Sequence, residues 1–264
     1  MNYCVDFYNH LTGYEKADEY TIKYTKKNDV LIDFLEKNNT KRVNLTIEER
    51  ITEAEMELFV SIYEKFSNLV LRFESYDAEI IDLIQKSGIP FFFGNRINNW
   101  DEFIGFVSLG VSDIYVVEDL CFDLERVASI AKPAGIRLRT FANVAQSTWK
   151  GTPEIKKFWI RPEDISIYEK YIDTLEFFGT PQQISVLLKV YKEDKQWFGR
   201  LKEIIFGLQS DIDSRFIIQS FAEQRIKCKK DCLKGGKCQV CDRVVELSNT
   251  IEKANIMIKP KKED

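Results

Sequence analysis

The sequence predicts an α/β fold: a (β/α)8 TIM-like barrel with an N-terminal β-hairpin and a C-terminal cysteine-containing helical appendage. Three observations carry this expectation. Strand-like and helix-like runs alternate along most of the 264 residues. The helical runs close on a glycine just before the next strand, the usual C-terminal stop. Several strands are apolar at consecutive positions, as strands covered on both faces are. The length also suits a barrel of about 250 residues. An open doubly wound sheet is the other arrangement with this rhythm, but no GxGxxG follows the first strand.

The elements follow in order. NYCVDFYN and EYTIKYT are short extended runs with LTGYEKAD between them, which reads as a hairpin covering the bottom of the barrel, with residues 1–39 forming a lead-in. The barrel proper is expected over 40–212. Its strands are 40–47, 68–75, 89–95, 112–118, 136–144, 157–162, 173–179 and 202–208. Helices 53–68, 77–88, 99–110 and 122–135 lie between the first five, and the last three of those helices stop at Gly88, Gly110 and Gly135. Residues 213–264 form the appendage, with helices at 215–228 and 241–258 flanking a cysteine cluster.

Composition excludes several classes. Hydrophobic residues make up 44% and charged residues 30% of the chain, which is globular rather than disordered. No stretch approaches about 18 consecutive apolar residues, and the polar, acidic N-terminal run lacks a signal-peptide core. A cytoplasmic protein without a membrane segment is therefore expected. The single histidine, His10, falls in a loop-like run. Histidine triads and multi-histidine metal sites are thus unavailable, and acid–base work passes to Asp, Glu, Tyr, Lys, Cys or a cofactor. The net charge of −4 hides an asymmetry, since residues 225–243 hold seven Lys/Arg against two acids. A basic coat over the whole molecule is excluded, but a local RNA contact through 225–243 is not.

Cys228, Cys232, Cys238 and Cys241 form C-x3-C-x5-C-x2-C, with Gly235 and Gly236 where the backbone must turn. In a reducing compartment this spacing points to metal ligation before disulfides. Four thiolates converge on one Zn²⁺ or hold the corners of an iron–sulfur cluster, and spacing alone does not choose between them. Cys4 and Cys121 read as small buried hydrophobes.

Barrel chemistry is built at the C-terminal ends of the strands. Those positions carry Glu74, Asn95, Arg96, Glu118, Asp119, Asn143, Gln146, Arg161, Glu163, Asp164 and Glu176, with Arg72 and Arg139 inside strands. Arg72 with Glu74, Arg139 with Glu118 and Arg161 with Glu176 are the pairings this arrangement offers. They amount either to an internal ion-pair network or to an anion site, in which guanidiniums grip carboxylate or phosphate and glutamates move a proton. Trp149 and Trp159 bracket a loop long enough to cover such a site.

The run GVSDIYVVEDLCFDLERVASIAKPAGIRLRTFANVAQS (110–147), followed by WIRPEDISIYEKYIDTLEFFG (159–179), resembles the peptidase U32 family. The similarity extends over about 40–200. The resemblance implies a TIM-like barrel, often with a [4Fe–4S] cluster on four cysteines, and oxygen-independent hydroxylation of RNA bases or quinone precursors; some members are linked to prephenate. The family places a cysteine soon after the strand that ends in Glu, whereas TPQQIS follows Glu176–Gly179 here and the four cysteines are compact and C-terminal.

Two functions are consistent with these residues. In one, the chain is an iron–sulfur barrel enzyme acting on an anionic small molecule or an RNA nucleotide. Glu118, Glu176, Arg139 and Arg161 would be its catalytic set, and Glu74, Asn95, Arg96, Asn143 and Gln146 would bind substrate. Cys228, Cys232, Cys238 and Cys241 would hold the cluster. In the other, a Zn²⁺ on the same cysteines stabilises a binding or structural module without catalysis. No nucleophile–base pair supports peptidase activity.

Overall fold

The computed structural model describes residues 1–6, 14–74, 78–97, 99–117, 120–145, 154–209, 211–218, 220–228 and 239–247. Nine strands form one sheet: β1 (Asn2–Asp6), β2 (Glu19–Lys23), β3 (Arg42–Ile47), β4 (Leu69–Phe73), β5 (Phe91–Phe93), β6 (Arg96–Ile97), β7 (Asp113–Val116), β8 (Arg137–Phe141) and β9 (Thr174–Glu176). Their spatial order is β5-β4-β3-β2-β1-β9-β8-β7-β6, and every neighbouring pair is parallel. The two edges of that order, β5 and β6, are separated in the chain only by Gly94 and Asn95. The sheet therefore curls until its ends meet within the single run 91–97. The Ser112 N–H donates to the Phe91 carbonyl at 2.7 Å across this seam. The result is an α/β barrel.

Helices α1 (Asn28–Lys37), α2 (Glu53–Lys65), α3 (Ala78–Ser87), α4 (Trp100–Ser108), α5 (Leu124–Ala131) and α6 (Ile165–Tyr168) occupy connections between strands, and α7 (Pro181–Leu188) and α8 (Ser220–Arg225) follow the last strand. Local signals start and stop them. Thr52 and Glu55 form a reciprocal capping box on α2; Thr180 and Gln183 do the same on α7, where Pro181 sits in the first turn. The expected stops hold: Gly88, Gly110 and Gly135 take φ of +71°, +71° and +73°. A Cβ on Gly110 would meet nothing within 4 Å, so Gly110→Ala should cost only the left-handed backbone penalty, about 1–2 kcal/mol. Urea denaturation checks this, and an unchanged midpoint would rule out that backbone conformation.

Between the strands and the outer helices lies the main hydrophobic core, including Leu35, Phe59, Ile84, Phe103, Leu124 and Leu138. Val70, Phe92, Tyr115 and Phe141 form a second, separate cluster. They alternate with core-facing residues along β4, β5, β7 and β8, so they point into the barrel.

Four expected elements differ. NYCVD and EYTIK are the first two barrel strands, not a hairpin: Cys4 registers against Glu19 in a parallel ladder. The twelve residues between them are long enough for a crossover, which a parallel pair requires. The sheet thus begins at Asn2 rather than near residue 40. Among the described residues the run 157–162 contributes no named strand to the sheet, and only Phe158 carries an isolated bridge. Phe158, Trp159 and Ile160 are buried, and Pro162 opens a 3-10 turn; a short apolar run reads the same in either setting. Within 202–208 only one bridge forms, Phe206 with Val144, after a 3-10 turn at Leu201–Glu203. The expected helix 215–228 is shorter, consisting of a 3-10 turn at Ser214–Phe216 and then α8. Of 241–258, residues 241–247 belong to a helix that starts at 240, and the remainder lies outside the described residues.

Candidate functional site

Polar side chains fill much of the barrel interior. Near the N-terminal ends of the strands, Arg42 on β3 pairs with Asp113 on β7, and Arg137 on β8 pairs with Glu19 on β2. Neither pair joins neighbouring strands, so both span the inside of the barrel. Arg139, fully buried, reaches Glu19 at 3.1 Å and Asp113 at 3.2 Å. Burial works against the Glu19 carboxylate, but Arg139, Arg137 and Arg42 outweigh it and hold its pKa well below the usual range.

Higher up, Glu176 at the end of β9 accepts a hydrogen bond from the Tyr115 hydroxyl. Arg72 donates to it at 3.3 Å, and Arg139 lies 3.5 Å away. Burial first, and then Glu176, push the Tyr115 phenol well above its ordinary pKa, so it stays a donor. The Arg72 Nε is 2.9 Å from Glu74, close enough for ion pairing although its N–H is not aimed at the oxygen. A Cβ on Gly94 would lie 2.8 Å from both Glu74 oxygens, so the glycine makes room for that carboxylate at the strand break. Arg96 lies over Phe141 (4.8 Å), Phe141 stacks on Tyr115 (5.7 Å), and Arg139 packs on Tyr115 and Phe92. This column of alternating cations and rings runs from the exposed Arg96 into the barrel.

Asp6, at the C-terminal end of β1, was not among the expected site residues. Its carboxyl is half-buried and makes no hydrogen bond or ion pair among the described residues. Burial, and next the negative charge of Glu176, push its pKa up to about 6, against the pull of Arg72. The signal for it lay in NYCVD: in a strand whose Cys4 faces inward, Asp6 faces inward too. Reading the strand as part of a hairpin hid this.

The other expected residues divide. Arg72, Glu74, Glu176 and Arg96 come together at the mouth, and Asn95 is exposed beside Arg96. Arg139 is deeper, wholly enclosed by the ion network. Arg161 does not pair with Glu176: it holds Asp164 through two 2.7 Å bonds and donates to the carbonyls of Ser214 and Ile217, clamping the later chain onto the barrel. Glu163 accepts from the Trp197 amide and the Ser214 hydroxyl. The Asn143 amide bonds the backbone N–H and carbonyl of Phe178, tying the end of β8 to the end of β9. Asn143 also lines a cleft of about 340 Å³ beside the mouth, with Phe178, Gln183, Trp197, Lys202 and Phe206. His10, Glu118, Asp119, Gln146, Trp149, Cys232 and Cys238 lie outside the described residues, as does the segment 229–238 of the basic run.

Of the cysteine motif, Cys228 and Cys241 are described. Both are half-buried and pack against the main core. Cys4 and Cys121 are fully buried, and burial pushes the Cys4 thiol up to about 12. Among the described residues no helix is long and apolar enough to cross a membrane.

No family model matches the chain, and no curated protein matches it. Solved structures with partial likeness include L-talarate dehydratase from Polaromonas sp. JS666, at 12% identity and TM-score 0.43 over 68% of this chain. The match spans 53% of that protein's own length. A tryptophan synthase complex from Pyrococcus furiosus matches at 8% identity and TM-score 0.47, over 86% of this chain and 97% of that one. A glycerophosphodiester phosphodiesterase from Parabacteroides distasonis matches at 12% identity and TM-score 0.41, over 71% of this chain and 97% of that one. Likenesses this slight carry no functional weight, and the barrel rests on the chain's own hydrogen-bond ladder.

Proposed function

We propose that this chain is a cytoplasmic (β/α)8-type barrel enzyme that moves a proton on an anionic small molecule or nucleotide at the C-terminal mouth, with a metal centre on Cys228, Cys232, Cys238 and Cys241. The observation that carries this reading is the Asp6 carboxyl, which makes no hydrogen bond or ion pair among the described residues, with its pKa raised to about 6 by burial and by the charge of the fixed Glu176. An acid–base group works best when its pKa lies near the operating pH. Asp6 takes or gives the proton. Glu176, held by Tyr115 and Arg72, supplies the negative charge that keeps Asp6 basic. Arg96 is exposed and Arg72 half-buried, and the two guanidiniums suit a carboxylate or phosphate on the substrate. The cleft beside Asn143 would take its apolar part. Arg139 and Arg161 support this site from below and from the side rather than touching substrate.

The resemblance to the peptidase U32 family favours a [4Fe–4S] cluster and oxygen-independent hydroxylation. A cluster supplies electron transfer when bound. A second reading, a Zn²⁺-stabilised binding module, draws on how fully the barrel charges below Glu176 already pair with one another. Metal analysis of anaerobically prepared protein, with electron paramagnetic resonance, separates the two. The enzyme reading expects a brown protein with about four irons per chain. A colourless protein with one zinc overturns the iron–sulfur assignment and leaves the module.

A further inference from the structure

A cleft of about 620 Å³ opens at the other end of the barrel, at the N-terminal ends of β1, β2 and β3. Lys16, Asp18, Thr40, Lys41, Arg42 and Lys192 line it. Lys192 stands on a π-helix, Lys189–Asp194, that continues α7. Such turns are rare and recur at functional sites. Three of the cations are matched by carboxylates: Lys16 pairs with Glu193 at 2.7 Å, Lys192 with Asp18 at 2.7 Å, and Arg42 with Asp113. Arg42 still has a donor to spare. Its Nε donates to Asn44 and its Nη2 to Ser112 and Asp113, while Nη1 makes no hydrogen bond among the described residues.

Lys41 is the fourth cation, and it makes no ion pair among the described residues. Its ammonium donates to the Tyr20 hydroxyl at 2.7 Å and to the Glu15 carbonyl at 2.5 Å, and lies 4.7 Å from the Tyr20 ring centroid. Tyr20 is buried on β2 and registers against Val43 of β3, while Lys41 enters β3 directly, so the sheet fixes the two side chains against each other. Burial above all, and Lys192 with it, hold the Lys41 ammonium below its ordinary pKa, against the pull of Asp18 and Glu15. Burial, with Glu15 and Asp18, pushes the Tyr20 phenol up to about 12, so it keeps its proton. One cleft therefore holds an amine without a carboxylate partner, a phenol at hydrogen-bond distance and a spare guanidinium donor. Imine chemistry on an anionic carbonyl compound needs these three parts.

We propose that Lys41 is a second reactive centre, an amine that forms an imine with a small carbonyl compound bearing a carboxylate, of the 2-oxo acid class. The carboxylate takes the free Nη1 of Arg42. Lys41, having lost one proton to solvent, attacks the carbonyl carbon through Nζ. The C–N bond forms, the C=O π bond breaks, and a proton passes from nitrogen to oxygen to give a carbinolamine. The Tyr20 hydroxyl then protonates the departing hydroxyl, the C–O bond breaks and water leaves. The phenolate recovers its proton from nitrogen. Amine and carbonyl become imine and water, and nothing is oxidised or reduced. This site lies at the opposite end of the strands from Asp6 and does not depend on the proton transfer proposed there.

The test incubates the full-length chain near neutral pH with glyoxylate and cyanoborohydride, which reduces an imine to a stable secondary amine. Peptide mass spectrometry then gives the labelling rate of each lysine. Lys41 should be labelled at least about tenfold faster than Lys37 and Lys86, which lie exposed and paired to aspartates one helical turn away. Acetaldehyde, a carbonyl compound with no carboxylate, should lose most of that preference. Tyr20→Phe keeps the ring and should slow labelling of Lys41 at least about tenfold while leaving Lys37 and Lys86 unchanged. Wild-type Lys41 labelled by glyoxylate no faster than the two exposed lysines overturns the proposal, and that measurement needs no variant to fold. An equal preference with acetaldehyde overturns the carboxylate-bearing class of ligand. Unchanged labelling in a folded Tyr20→Phe variant overturns the part given to the phenol.

Discussion

Arg139→Met is expected to cost about 3–5 kcal/mol at neutral pH, the usual penalty for breaking a buried charge arrangement from one side. Arg139 is fully buried and faces Glu19, Asp113 and Glu176 together. Burial opposes its charge, but the surrounding negative charges, Glu19 and Asp113 among them, hold it firmly protonated. Methionine fills the volume and leaves those carboxylates short of a cation. The pH dependence has a definite sign. Glu19 has a depressed folded-state pKa, so its contribution is fully present above its unfolded value of about 4.3 and is lost as pH falls towards the folded value. The gap between wild type and variant should therefore be widest near pH 7 and narrow below about pH 4. Urea denaturation across that range measures it. A loss under 1 kcal/mol at pH 7 would mean that Arg42 and Arg137 alone satisfy the network.

The period of the barrel was legible in the sequence, but its phase was not. Five of the six strands from 42 to 141, all but β6, and the strand ending at Glu176 sit where apolar runs and glycine stops place them. The misplaced pair followed from physics that short runs cannot carry. NYCVD and EYTIK alternate because the barrel interior is polar, and alternation is also what a half-exposed hairpin shows. The run 157–162 is apolar because Trp159 packs against Phe221 and under the Arg225 guanidinium, not because the run forms a strand of the sheet. The site suffered the same shift. Arg72, Glu74 and Glu176 lie in or at the ends of expected strands and Arg96 just beyond one, so the chain itself places them at the mouth. Asp6 was missed with its strand. Arg161 was promoted because a false strand put it at the mouth. The pairing of Arg42 with Asp113 could not be read from the chain, since it depends on which strands face each other across the closed sheet.

Asp6→Asn should abolish most turnover, by about 10²–10⁴-fold, if Asp6 is the acid–base group, and at the same time make the folded chain more stable above pH 6. The two effects share one cause. Burial, then Glu176, raise the folded-state pKa of Asp6 to about 6, above the unfolded value of about 3.9. A group raised in this way contributes stability that is fully present below the unfolded value and lost as pH rises through 6. Asparagine removes that loss. The gain at pH 8 relative to pH 4 is bounded at about 3 kcal/mol by the two-unit shift, and half-exposure to solvent brings it below that bound. Glu176→Gln removes the second cause and keeps the first, so the Asp6 midpoint should move down without reaching its unfolded value. Carbon-13 carboxyl titration by NMR reads both midpoints without a substrate. An Asp6 midpoint near 4 in the wild-type chain contradicts the proposal directly, because a carboxylate that ionises there holds no proton to give at neutral pH and attracts one only weakly.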